Sequence, residues 1–568
     1  MNVNWNSPDF EGFAGQNPFQ RKQSGPRPVR KPIGTPITRT IINLLVTAVF
    51  AAVYFYVTLP AINLKSEDFY VFLFLICAVY CGCAIVTSGF QGEGAKGYFG
   101  FVKKQCKLPA LLAAALVVTL VVGSIVGWEI FRASSYRDLL TVTNGDFTAE
   151  VEEISYDQIP MLDRDSAVRL GNRKLGELAD MVSQFEVADN YNQINYQDTP
   201  VRVATLRYGD LFKWINNMGK GLPAYVLVDM VDQTAQVVRL EEGMKYTTYD
   251  HFGRNLYRLL RFRYPTYLFS QPNFEIDEEG NPWWICPRVV KTIGLFGGTD
   301  ISGAVLVNAI TGESTYCPAE EVPDWVDRVY AADLLIQQYD YYGQYQGGFL
   351  NSMFGQKGCT VTTDGYNYIA LNDDVYVYTG VTSLGGDESN VGFVLINQRT
   401  KEANYYPCAG AEEYSAMDSA EGVVQHLGYR ATFPLLLNVD GQPTYFMSLK
   451  DNAALVKMYA MVNVQNYNVV ATGATLPECQ NNYAKLLRQE GLTQQGQQGV
   501  EGVIDEIRTA VIDGNSWYYF RLIGEDHFYA VSANQCEIAV ILDKGDKVTI
   551  VGAAEEGTIR QAAAIVEN

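Results

Sequence analysis

The run Ile41-Ile-Asn-Leu-Leu-Val-Thr-Ala-Val-Phe-Ala-Ala-Val-Tyr-Phe-Tyr-Val-Thr-Leu-Pro-Ala-Ile-Asn-Leu64 carries no charged side chain over 24 residues. Two more uncharged stretches follow, Phe69 to Phe90 and Leu108 to Trp128. A helix rises about 1.5 Å per residue, so each stretch is long enough to cross a hydrocarbon layer of about 30 Å. A soluble core helix rarely stays uncharged on every face for that length. A cleaved signal peptide has a shorter apolar segment and would not be followed by two further spans. The sequence therefore predicts a three-helix transmembrane anchor within residues 41–131, preceded by a basic tail over residues 1–40.

Lys and Arg flanking the spans set the expected orientation. Arg21, Lys22, Arg27, Arg30, Lys31 and Arg39 precede the first span, and Lys96, Lys103, Lys104 and Lys107 lie between the second and third. Flanking the spans on the other side are Lys65 in the first loop and Arg132 and Arg137 after the third. This bias places the N-terminus in the cytoplasm and, after three crossings, everything beyond Trp128 outside. No Asp, Glu, Lys, Arg or His lies within a span, which disfavours an ion or proton path through these helices. Cys77, Cys81 and Cys83 in the second stretch read as small packing residues between helices rather than as metal ligands.

The whole chain of 568 residues has 43 basic and 63 acidic side chains, for a formal charge of −20. Residues 1–132 hold 12 basic and 6 acidic groups, leaving 31 basic and 57 acidic in the remainder. An acidic body of this kind stays soluble and is repelled by anionic lipid. It also excludes nucleic acid as a natural partner, since phosphate selects a clustered positive surface. Seven Trp, 37 Tyr and 27 Phe rule out a disordered tail.

Self-comparison of that remainder shows one pattern four times: a small residue, an apolar strand, then Asx or Gln and a turn. The copies are Ala224-Tyr-Val-Leu-Val-Asp229, Ala304-Val-Leu-Val-Asn308, Gly392-Phe-Val-Leu-Ile-Asn397 and Ala460-Met-Val-Asn-Val-Gln465. A second extended run follows, as in Val237-Val-Arg-Leu240 and Ala403-Asn-Tyr-Tyr406. A hairpin precedes it, with turns at Glu279-Gly280 and Asp440-Gly441. Helices are expected at Ser166–Leu178, capped by Asp165 or Ser166, at Val322–Tyr330 and at Ala411–His426. Phe185-Glu-Val187 and Tyr191–Tyr196 alternate like strands. The expected architecture is a series of α+β repeat modules over residues 132–340 and 341–488, stacked because one copy buries little core. A Gln/Gly-rich linker over residues 489–502 leads to a small β-barrel, OB-like or SH3-like, over residues 503–568.

Helix, hairpin and a strand of the Val-Leu-Val-Asn-x-x-Thr-Gly-Glu kind resemble the PepSY class of small exported α+β modules, over single modules. A wider stretch is similar to a family of uncharacterised membrane-anchored proteins of Gram-positive bacteria. It runs from Ile159-Pro-Met-Leu-Asp-Arg164 through Phe433-Pro-Leu-Leu-Leu-Asn438, about half of the chain. Val182-Ser-Gln-Phe-Glu-Val187, Leu206-Arg-Tyr-Gly-Asp210, Gly294-Leu-Phe-Gly-Gly298 and Thr379-Gly-Val-Thr-Ser383 carry that resemblance. It implies an envelope location and supplies no catalytic residues.

The search for chemistry yields no assigned catalytic, metal-binding or cofactor-binding residue, and the binding residues stay unknown. His251, His426 and His527 are the three histidines, and none sits in a metalloprotease or nucleophile-elbow context. Those beside acids read as solvated. Cys286, Cys317, Cys359, Cys408, Cys479 and Cys536 have no C-x-x-C spacing; six thiols allow fifteen pairings, and mostly free, packed thiols are expected. Asp373-Asp374 and Glu320-Glu321 are the paired acids that a glycosidase could use, but neighbours on a strand face opposite ways. Tyr339-Asp-Tyr-Tyr-Gly-Gln-Tyr345 could stack on a sugar or peptide, though exported loops often carry Tyr without a ligand. The expected function is a membrane-anchored extracytoplasmic binding, scaffold or regulatory protein of the bacterial envelope, non-enzymatic and without cofactor. Its expected partners are the lipid bilayer and an envelope protein or wall polymer. The alternatives are an envelope hydrolase with acids in a cleft between modules, or an accessory subunit of a transport complex.

Overall fold

The computed structural model describes residues 32–90, 94–151, 153, 159–371, 373–385, 389–490, 492, 500–512, 515–533, 536–551, 558–562 and 564–567. Most of the basic tail and of the expected linker lies outside them. The chain divides into two compact units, residues 1–60 with 67–121, and residues 61–66 with 122–568.

The first unit holds the helices Pro36–Thr58 and Glu67–Ser88 and most of Lys107–Val126, each long and apolar enough to cross a membrane. The first starts five residues earlier than the uncharged run and stops six residues sooner. Leu59 adopts left-handed φ as its C-cap and Pro60 offers no N–H to continue it. Thr87 Oγ1 donates to Asn43 Oδ1 at 3.0 Å, and Tyr54 stacks on Phe72 at 5.6 Å, fastening the first two helices. Between the second and third apolar helices lies Gly94–Gln105, a helix the sequence reading does not anticipate.

Among the described residues the second unit contains five sheets, all chiefly antiparallel. Four share one order of elements. A helix comes first: Arg164–Gly176, Leu256–Arg263, Ala332–Gln344 or Glu413–Val423. A short edge strand and a hairpin strand follow, and both pair with the first of two long central strands. The hairpin strands are Asn192–Tyr196, Asn273–Ile276, Asn367–Leu371 and Leu435–Val439. The second long strand is Leu222–Asp229, Gly297–Asn308, Ser389–Asn397 or Val456–Asn463, and one further strand follows it in each sheet; in the third sheet Val142–Asn144 adds a parallel edge beyond that strand. The four repeated segments of the sequence all fall on this second long strand.

The Asx residue ending that strand has a mechanical role. Asp229 accepts from the N–H of Val231 and Asp232, Asn308 from Ile310 and Thr311, Asn397 from Arg399 and Thr400, at 2.8–3.0 Å. In the fourth copy the residue is Asn463, bonded to the N–H of Asn466 at 2.8 Å, and not Gln465. A Gln side chain is one methylene too long to close this turn. The next N–H returns to the first long strand in every copy: Met230 to Pro200, Ala309 to Pro282, Gln398 to Val375 and Val464 to Pro443.

These strands are apolar without interruption because both of their faces are buried. In the second sheet Val305 and Val307 enter the core shared with the first sheet, while Ala304 and Leu306 enter the core shared with the third. In the third sheet Val394 and Ile396 face the second, and Phe393 and Leu395 face the fourth. The helix Leu476–Gln489 covers the fourth sheet with Leu476, Cys479, Tyr483 and Leu487. The fourth returns to the first through polar bonds: Gln233 Nε2 to Tyr459 Oη at 2.7 Å, Ser448 Oγ to Met161 O at 2.9 Å and Arg169 to Ala453 O at 2.7 Å.

Several expectations need correction. The helix near residue 166 runs Arg164–Gly176 and is capped by Asp163, which accepts from the N–H of Ser166 at 3.0 Å. Val322–Tyr330 is not helical, because the N–H groups of Asp327 and Arg328 bond the Glu275 carboxylate instead of carbonyls one turn back. Helix Ala332–Gln344 runs across residues 340 and 341, and Val500–Gly502 begin a strand. The last sheet has six strands, and its edge strands Ile559–Gln561 and Ala564–Glu567 are near neighbours in sequence, so the sheet curls on itself.

Val305→Ala and Leu306→Ala are expected to destabilise the full chain in detergent comparably, by about 2–4 kcal/mol each. Thermal or denaturant unfolding checks this; a near-neutral result at either position contradicts burial on both faces.

Candidate functional site

The hairpin strands carry several buried polar side chains. Asn192, Gln193 and Asn195 of the first, Asn273 and Glu275 of the second, and Asn438 of the fourth are all buried. Asn192 Nδ2 donates to Phe274 O at 2.8 Å, and the equivalent Asn367 Nδ2 donates to Phe433 O at 3.2 Å. The first sheet is thus tied to the second as the third is to the fourth.

Behind these strands lies a sealed acidic pair. Glu275 has no solvent exposure and Asp327 has 1%. Glu275 accepts from the N–H of Asp327 at 3.0 Å and of Arg328 at 3.2 Å, and Asp327 Oδ2 accepts from the N–H of Asn195 at 2.7 Å. Burial pushes the Glu275 carboxyl up to about 7, against the bonds from Asp327 and Arg328 and the Arg328 charge. Burial, and then the charge of Glu275, pushes Asp327 well above the usual carboxylate range.

In front of them a cavity of about 440 Å³ opens between the first, third and fourth sheets. Its wall includes Arg164, Gln193, Arg202, Arg328, Tyr368 and Phe433. Arg202 lies on the first long strand directly opposite Gln193, and its Nη2 donates to Gln193 Oε1 at 3.1 Å. It is 6% exposed, and its Nε has no hydrogen-bond partner among the described residues. Arg328 donates to Asn192 Oδ1 at 3.4 Å with its Nε likewise unpartnered, and Arg164 donates to Asp189 O at 2.7 Å. Burial lowers Arg202 to about 10; Tyr368 and Asp163 act against it, and Arg164 and Arg328 add to it. It stays cationic at neutral pH. Asp163, also on the wall, is raised by burial but held below its ordinary range by Lys450 and the cap bond from Ser166.

The residues singled out from the sequence lie elsewhere or apart. Asp373 sits in a turn at φ 65 and accepts from Asn195 Nδ2 at 2.9 Å, whereas Asp374 is bound by Arg399 at 2.6 Å and Asn397 at 2.7 Å. Glu320 and Glu321 are exposed on a short 3-10 turn. His251 packs edge-on against Trp214 at 4.8 Å, His426 is exposed, and His527 bonds Tyr529 Oη at 2.8 Å and Glu525 at 3.1 Å. Cys286, Cys359, Cys408, Cys479 and Cys536 are buried, Cys317 is half-buried, and all six are unbridged. Tyr339–Gln344 belongs to a helix rather than a loop, with Tyr345 as its C-cap; Tyr339 and Tyr345 are buried, and Tyr345 donates to Glu129 at 3.0 Å. Arg202, Arg328, Glu275 and Asp327 escape sequence reading. The one signal is Arg202 inside the apolar run Val201-Arg-Val-Ala-Thr-Leu206.

No family model matches the chain, and no curated protein matches it. Among solved structures, a B. megaterium levansucrase mutant aligns at a TM-score of 0.18 and 8% identity, over 74% of this chain and 95% of that one. A likeness at that score carries no argument about fold or activity.

The raised carboxyls fix the sign of a pH effect. Between the ordinary Glu value of 4.5 and about 7 the folded state holds protons that the unfolded chain has released, so stability falls as pH rises through that window. The unfolding temperature of the full chain is expected to drop between pH 5 and pH 8, and Glu275→Gln is expected to flatten the slope. An unchanged slope in the variant contradicts the assignment.

Proposed function

We propose that the chain is a membrane-anchored binding protein of the bacterial envelope, non-enzymatic, with its acidic α+β region outside the cell. One observation carries the reading. Three crossings put the first loop on the same side as everything after the third helix, and residues 61–66 do belong to the same compact unit as residues 122–568. Ile62 N–H bonds Pro265 O at 2.8 Å and Asn63 Nδ2 bonds Thr266 O at 2.8 Å. The excess of Lys and Arg on the other side supports a cytoplasmic N-terminus.

The four sheets with one element order fit the reading as stacked PepSY-like modules, and the curled six-stranded sheet fits a small barrel of OB-like or SH3-like kind. The Gram-positive family resemblance accords with an envelope site. Leu350, Met353 and Phe354 are exposed beside the helix Glu129–Arg137, which itself exposes Phe131. An exposed apolar cluster of this kind suits a bilayer interface. The hydrolase alternative draws on Glu275 and Asp327, two acids converging between modules. Both are sealed from solvent, and a glycosidic bond would have to reach them. The open cavity lined by arginines favours binding.

A reporter enzyme active only outside the cytoplasm, fused after Asn568, is expected to be active, and protease added to intact cells should degrade the region beyond residue 129. A fusion that works only as a cytosolic reporter overturns the orientation.

A further inference from the structure

We infer that the cavity between the first, third and fourth sheets is a binding site for a small organic oxyanion, a carboxylate or a phosphate ester, held by the guanidinium of Arg202 with Arg328 and Arg164. The inference deepens the binding reading above by naming the class of ligand.

A guanidinium that is 94% buried loses most of its hydration and is kept only where something compensates it. Among the described residues no carboxylate lies in salt-bridge range of Arg202, and its one side-chain bond goes to a neutral Gln. Two further guanidiniums raise the local positive charge: Arg328, half-buried and bonded to Glu275 through its backbone N–H, and Arg164, which is exposed and donates to the Asp189 carbonyl. The carboxylates on the wall offset this charge only in part. Asp163 is already paired with Lys450 and caps a helix, and Asp165 is exposed to water.

Residues on the cavity wall also hold unused polar atoms. The Nε of Arg202, the Nε of Arg328 and Gln193 Nε2 are buried donors without partners, and the Tyr191 hydroxyl is a buried polar group in the same state. A planar guanidinium with a free Nε is suited to paired bonds with a carboxylate or phosphate. The volume of about 440 Å³ lies in the range of small-molecule sites and far exceeds a bare ion. Tyr366, Tyr368 and Phe433 supply an apolar wall for the body of the ligand. A chain of formal charge −20 repels anions in general, so a local positive cluster gives selectivity as well as affinity.

The test uses the full chain in a neutral detergent, buffered without oxyanions. Inorganic phosphate, glycerol 1-phosphate and benzoate are titrated at constant ionic strength against chloride, with unfolding temperature and calorimetry as readouts. A saturable rise is expected for at least one of the two organic probes and not for chloride. The phosphate ester and benzoate arms tell the two head groups apart. Arg202→Met is expected to fold with equal or greater thermal stability in the absence of ligand, because it removes a buried charge, and to bind about 10- to 100-fold more weakly. Arg328→Gln, nearer the acids, provides a second variant with weakened binding. Equal responses to chloride and to every probe overturn the inference, as does undiminished affinity in both variants. Binding is measured on purified protein and does not depend on orientation in the membrane, so its failure is distinct from failure of the topology.

Discussion

A β-strand that is apolar on both faces cannot border water on either. That constraint organises the α+β region. Ala304, Val305, Leu306 and Val307 alternate between two different cores, and Phe393, Val394, Leu395 and Ile396 do the same one sheet later. Each internal sheet is therefore a partition between two cores, and no single copy of the unit could be cut out without exposing half of its strand. Stacking is the condition for folding rather than an addition to it. The outermost sheets meet the same demand with helices such as Arg164–Gly176 and Leu476–Gln489.

Stacking sheets in this way also sets where polar groups must go. Some are buried on the long strands, Arg202 and Thr205 among them, and others lie on the short hairpin strands and at the Asx turns. There they bond across sheets, as Asn192 does to Phe274 and Asn367 to Phe433. The same region holds the costly groups: Glu275 and Asp327 sealed together, and Arg202 buried on a neutral partner. The acids are compensated by backbone N–H groups and by a rise in proton affinity. The arginine has no such compensation within the described residues, and it borders an open cavity. Stability explains the first arrangement, whereas a ligand explains the second.

Much of the architecture was legible in order along the chain. Uncharged runs of more than twenty residues announce three helices, and the Val-Leu-Val-Asn pattern marks the second long strand of each of four sheets. The boundaries were less so. Pro60 and the left-handed Leu59 end the first helix, which composition alone carries on to Leu64. The fourth copy was read two residues too far, since Gln465 imitates an Asx in type but not in length. Val322–Tyr330 has a helical look, yet it is held out of a helix by Glu275, a residue some fifty positions earlier. Asp373 and Asp374 are adjacent in sequence, but their partners, Asn195 and Arg399, pull them apart.

The sequence by itself determined the elements whose cause is local: span length, the apolar strand, the turn that follows it and the acidic balance of the chain. Those properties depend on residues within one helix turn or one strand of each other. Only the tertiary structure decided the site. Arg164, Arg202, Arg328 and Tyr368 come from segments separated by dozens of residues, and nothing in their spacing shows that they share a wall. A buried charge looks like a surface charge until the surrounding sheets remove its water, and that desolvation exists only in the folded molecule.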